Sequence, residues 1–143
     1  MKAEDLMIGD WVCVTKNFTQ KYHKIRALSN NEDAVLRGIY VNEYGIENPS
    51  IISPNDTEPI PLTSEILEKN GFEMVLDKDK LPTYRIKWTR NPNLYFTVFT
   101  GVDGYWNPVG FGVTIAGVNG VIDYVHQLQH AMKLCGINKE IVL

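Results

Sequence analysis

The chain has 143 residues, of which 44% are hydrophobic and 22% charged, with a formal net charge of −3 and two cysteines. These values exclude global disorder, a disulfide-built scaffold and a uniformly basic nucleic-acid coat protein, and they limit the chain to one domain or two very small ones. The N-terminal MKAEDLMIGDWV has acids where a secretion signal needs an apolar run, and no stretch approaches the ~20 apolar residues of a membrane span. The expectation is a soluble, cytoplasmic protein with no membrane partner.

In the first half, Gly9-Asp10 is a turn signal, and Trp11 to Val14 follow as a β-rich stretch. A polar loop of about ten residues comes next, then the extended segment KIRAL and a turn at Asn30-Asn31. VLRGIYV (35–41) is the next strand, closed by residues 42–45. After Ile51-Ile52 the chain becomes rich in Pro, Asn and Asp up to Pro61. Short strands separated by regular turn signals predict an SH3-like small β-barrel over 1–62.

The second half opens with LTSEILEKNGF, a helix capped by Thr63 or Ser64 and ended by Gly71. Phe72, Met74 and Leu76 then alternate with Glu73 and Val75. In YRIKWTR, Tyr84, Ile86 and Trp88 share one face, and Arg85, Lys87 and Thr89 the other. Asn91-Pro92-Asn93 turns into LYFTVF, Asp103-Gly104 suits a tight hairpin, and VGFGVTI is the fourth strand, with Pro108 implying an edge or a bulge. The fold class is therefore α+β: the barrel, then over 63–143 a short linking helix, a four-stranded antiparallel β-meander and a C-terminal helix, packed with the first part as one unit.

That last helix, in DYVHQLQHAMKLCG, carries two histidines four residues apart. Val121, Val125, Leu128, Met132 and Cys135 fall on one arc and form its buried stripe. His126 and His130 fall on the opposite arc with Asp123, Gln129 and Lys133, facing solvent or a partner. Asp123, His126 and His130 are the candidate metal row, but Gln127 stands where a zinc hydrolase of this spacing needs its glutamate base, and three groups do not close a structural site. No metal and no cofactor are expected.

A second candidate is KNFTQKYHKIR (16–26). Lys16, Lys21, Lys24 and Arg26 are interleaved with Phe18, Tyr22 and His23, and no acid occurs from Trp11 to Asn31, so the stretch is +4 and leaves −7 for the rest. On a loop between early strands, such residues grip phosphates and stack bases, or cover a protein partner. The bland alternative is a solvated loop whose aromatics fold back on the barrel. Lys80 to Val102 is also free of acids, and Arg85 and Lys87 share the outward face of its first strand. Tyr95 and Phe99, with Tyr105-Trp106 at a hairpin tip, are candidate platform aromatics. No nucleophile elbow, CxxC pair or phosphate loop is present, which points away from an enzyme.

LMIGDWV, EPIPLTSEILEKNGFE and DYVHQLQHAMKL together resemble a family of small uncharacterised proteins from phages and mobile elements of gut Bacteroidetes. The resemblance spans most of the chain and implies a cytoplasmic accessory protein, without naming catalytic residues. The expected function is a non-enzymatic binding or adaptor module, with nucleic acid or a protein as partner. The alternatives are an interaction or oligomer-forming subunit using Trp106 and the C-terminal helix, and a metal-dependent hydrolase using Asp123, His126 and His130.

Overall fold

A computed structural model describes residues 5–16, 19–28, 36–41, 44–88, 90–105 and 107–143. The protein is α+β, and its described residues form two five-stranded antiparallel sheets and two α-helices. Two compact units, Met1–Ile60 and Pro61–Leu143, each contain one sheet.

In the first unit, a turn leads into the sheet. The Met7 N–H donates to the Asp10 carboxylate at 2.7 Å, and the Ile25 N–H to the Asp10 carbonyl at 2.9 Å, so a buried acid ties the chain entry to the middle of the sheet. Five strands follow: β1 (Trp11–Lys16), β2 (Thr19–Leu28), β3 (Leu36–Val41), β4 (Glu47–Ile52) and, after a 3-10 turn at Pro54–Asp56, β5 (Thr57–Glu58). The order is β4-β3-β2-β1-β5. β4 and β5 are its two edges, and among the described residues no pairing closes the sheet into the expected barrel. Among the described residues, the two-residue β5 pairs with Cys13 and Val14.

The expected polar loop after Val14 is instead a hairpin. β1 continues to Lys16 and β2 begins at Thr19, in register Trp11↔Lys24 through Lys16↔Thr19. The strand was hidden because its inward positions include a lysine near the tip and a histidine, so no apolar alternation marks it. The Asn30-Asn31 turn lies outside the described residues. Leu6, Val12, Ile25 and Ile52 form the core, with Val14 against it. His23 enters this inward face, 5% exposed, with its Nδ1 2.8 Å from Ser50 Oγ.

The second unit starts with α1 (Ser64–Lys69), whose first turn is capped as expected: the Ile66 N–H donates to Thr63 Oγ1 at 3.3 Å. β6 (Glu73–Leu76), β7 (Pro82–Lys87), β8 (Tyr95–Val102), β9 (Pro108–Ile115) and β10 (Val118–Val121) form a meander in sequence order. The Asn91 turn is present, with the Leu94 N–H donating to the Asn91 carbonyl at 3.0 Å. The β8–β9 connection runs over 103–107 rather than turning tightly at Asp103-Gly104. Asp103 Oδ1 accepts from the Tyr105 and Asn107 N–H groups at 2.8 and 3.0 Å, which holds its carboxyl below the usual range. Pro108 opens β9 beside a register shift between Thr100 and Val102.

β10 is an addition to the four expected strands. Ile115↔Val118 pairing leaves a two-residue turn in which Ala116 and Gly117 have φ of 50° and 80°. Such turns normally advertise themselves as Asn-Gly or Asp-Gly, and alanine in the first position conceals this one. Val121 consequently ends a strand, 72% exposed, and is not part of the helix stripe. α2 (Val125–Leu134) buries Val125, Leu128 and Met132 as expected, while Cys135 follows as its half-buried C-cap.

The C-terminal tail is fastened by one side chain. Asn70, 3% exposed, caps α1, donates through Nδ2 to the Ile66 and Val142 carbonyls at 2.8 and 2.7 Å, and accepts the Val142 N–H at 2.8 Å. Lys69 Nζ also donates to the Leu143 carbonyl, and Ile141 is fully buried. Asn70→Ala removes the side-chain partner of both the Val142 N–H and the Val142 carbonyl, while the Ile66 carbonyl keeps the backbone N–H of residue 70, so it should lower stability by about 2–3 kcal/mol. Urea denaturation checks this; a loss below about 0.5 kcal/mol would contradict the clasp.

A second test concerns His23. Burial, with a smaller contribution from Lys21, lowers its pKa below the ordinary 6.5. The unfolded chain then binds more protons below about pH 6.5, so the stability this group supports is complete above that value and declines as pH falls toward the folded pKa. The urea midpoint should drop between about pH 7.5 and 5.5, and His23→Gln should flatten that drop. An unchanged pH dependence in the variant would contradict the assignment.

Candidate functional site

Strand pleating sorts the 16–26 cluster. Along β2, Lys21, His23 and Ile25 alternate with Gln20, Tyr22, Lys24 and Arg26. His23 and Ile25 are buried, whereas Tyr22 is 53% exposed and Arg26 is exposed. The outward face of β2 therefore presents Tyr22 and Lys24 roughly 7 Å apart, and exposed Arg26 follows where the pairing with β3 shifts register between Ile25 and Ala27. Cross-strand pairing adds Trp11 opposite Lys24, with Lys24 Nζ 5.9 Å from the indole centroid. Arg26 is in ion-pair range of Glu47 at 3.8 Å, a contact between two half-exposed side chains that contributes little to stability. Lys16 and Lys21 are exposed near the hairpin tip. Phe18 lies outside the described residues.

The resulting surface is an aromatic-cationic strip on the middle of a sheet rather than a loop. Sequence reasoning included Tyr22, Lys24 and Arg26 and missed Trp11. The register would have revealed it: with Lys16 paired to Thr19, Trp11 falls opposite Lys24. His23 belongs to the core and is removed from the strip, because the pleat sends it inward to Ser50. Cys13, opposite Tyr22, is a buried free thiol whose pKa is raised by burial and by Glu58.

Arg85 and Lys87 are in the second unit, on the outward face of β7, opposite Thr97 and Tyr95 of β8. Arg85 Nε donates to the Glu73 carboxylate at 3.1 Å, and its guanidinium stands 4.6 Å from the Tyr95 ring centroid. This is a sheet-face network on β6, β7 and β8, and the two basic spans belong to different units. Tyr105 is 88% exposed at the β8–β9 connection, Phe99 is half-buried, and Trp106 lies outside the described residues.

On α2 the histidines do not both face outward. His126 is 6% exposed and stacks on Tyr124, with ring centroids 5.9 Å apart and an interplanar angle of 11°; His130 meets it edge-on at 5.8 Å. The helical wheel placed His126 outside because it ignores Tyr124, whose ring lies against the imidazole. Gln127, in the position of the missing glutamate, is a capping residue: its Oε1 accepts from the Asp123 and Tyr124 N–H groups at 2.8 and 3.2 Å. Among the described residues no group of three or more His, Cys, Asp or Glu is placed to hold a metal ion. Among them, too, no helix is long and apolar enough to cross a membrane. Comparison with family models, with curated proteins and with solved structures found nothing that matches this chain.

Proposed function

We propose that the chain is a non-enzymatic binding protein that engages single-stranded nucleic acid through the outward face of the β1–β2 hairpin. The observation that carries this reading is the row of Tyr22, Lys24 and Arg26 on one face of a central strand, with Trp11 beside Lys24. Exposed rings offer stacking surfaces to unpaired bases, and cations spaced along a strand meet successive phosphates. The role fits the accessory proteins of phages and mobile elements that the sequence resembles, and two free cysteines fit the cytoplasm. In fold terms, the strand order and the 3-10 turn before β5 support an SH3-like unit, a scaffold that commonly binds ligands on its surface.

A protein partner is the second reading. It is favoured by β4, an edge strand whose Ile51 is 78% exposed and which follows exposed Tyr44 and Ile46, at 79% and 58%. Unpaired edges with apolar side chains invite strand addition.

Fluorescence anisotropy with a labelled thymidylate oligonucleotide discriminates the two. With two to four phosphate contacts, the log–log salt slope should lie between about −1.4 and −2.8. Tyr22→Ala should weaken binding about tenfold, and Lys24→Glu/Arg26→Glu should abolish it. No saturable binding at about 20 mM salt, or equal binding by the double variant, would overturn the nucleic-acid reading.

A further inference from the structure

Register fixes which charges share the outward face of the first unit's sheet, because residues paired across a ladder lie on one side of it. Tyr22 pairs with Cys13, and Cys13 with Glu58 of β5, so Glu58 belongs to the outward face. The Cys13 thiol pKa is raised by burial and then by the exposed Glu58, so that carboxylate acts on the same side. On the other flank Lys24 pairs with Ile39, and Ile39 with Pro49 of β4. Glu47, two residues before Pro49, shares its side. The 3.8 Å approach of Arg26 to Glu47 agrees with that placement.

The strand order β4-β3-β2-β1-β5 makes this pattern symmetric about β2. Among strand residues with described side chains, the cations of the outward face lie on β2 and its acids on the two edge strands. Neighbouring strands are about 4.8 Å apart, so each edge strand with its acid stands roughly 10 Å to one side of β2. Along β2 the face continues to Gln20 beside Thr15, and no acid occurs from Trp11 to Asn31. A lane of about 20 Å from Gln20 to Arg26 is thus open to a polyanion. A path across the sheet at Tyr22 runs instead toward Glu58 at one edge and Glu47 at the other.

A single strand carries one line of phosphates and fits such a lane. A duplex carries two, roughly 12 Å apart across its major groove, so seating one backbone on β2 brings the other over an edge strand and its acid. The screening length at 0.1 M salt is about 10 Å, comparable with that separation, so the repulsion persists at moderate salt.

We infer that Glu47 and Glu58 are specificity residues of this surface, which reject duplex nucleic acid and keep a single-stranded ligand parallel to β2. The inference rests on the nucleic-acid reading of the strip and goes beyond it, since cations alone attract the phosphates of either form.

The test is fluorescence anisotropy of the whole chain at about 50 mM salt, with a labelled strand of about 20 nucleotides and the same strand annealed to its complement. The single strand should bind at least about tenfold tighter than the duplex. Glu47→Gln/Glu58→Gln, at two exposed positions, should lower that ratio about fivefold or more by strengthening duplex binding. Glu68→Gln/Asp79→Asn removes the same charge from exposed positions of the second unit and should leave the ratio unchanged. If neither form binds, the nucleic-acid reading fails and this inference with it. If the single strand binds, three results overturn the inference alone: a duplex bound equally well or better, a ratio unmoved in Glu47→Gln/Glu58→Gln, or a ratio that falls as far in Glu68→Gln/Asp79→Asn.

Discussion

The two-residue alternation of a β-strand, kept along β2 up to the register shift between Ile25 and Ala27, is the constraint on which this protein's first unit depends. Pleating along β2 sends His23 and Ile25 into the core and Tyr22, Lys24 and Arg26 out of it. One strand thus serves stability with one face and, in the proposed reading, recognition with the other. The two roles are coupled through register, because a shift of one residue would bury the cations and expose Ile25. Pairing on both sides of β2, and the Asp10 and Gly9 backbone bonds to Ile25, fix that register.

The second unit uses similar means for a different end. Its meander buries Phe96, Val98 and Val113, and α2 contributes Val125, Leu128 and Met132 to the buried set. Polar side chains close the ends of elements: Thr63 and Asn70 at the two ends of α1, and Gln127 at the start of α2. Each satisfies backbone groups that a helix end leaves open. HQLQH, which in isolation suggests zinc chemistry, owes its glutamine to such a cap and its first histidine to stacking on Tyr124.

Much of the architecture was legible where apolar periodicity was clean. α1 with its Thr63 cap, the Asn91 turn and the strands around Tyr84, Phe96 and Val113 follow directly from pattern and turn chemistry. It failed where a polar residue occupies an inward position, as His23 does in β2, and where a turn is made by an atypical pair, as Ala116-Gly117 is before β10. The binding strip was half legible for the same reason. Three of its residues lie within one short segment, but only pairing register separates outward Lys24 from inward His23 and brings Trp11 alongside. The flanking acids were less visible still: Glu47 and Glu58 are distant from that segment in sequence, and only strand order sets them on either side of β2.

The central claim, that alternate residues of β2 form a nucleic-acid surface, is tested most directly by residue-resolved NMR during titration with a thymidylate oligonucleotide. Side-chain resonances of Trp11, Tyr22, Lys24 and Arg26 should shift together and saturate, while those of His23 and Ile25 stay in place. Shifts concentrated on β4, or spread equally over both faces of β2, would contradict the account.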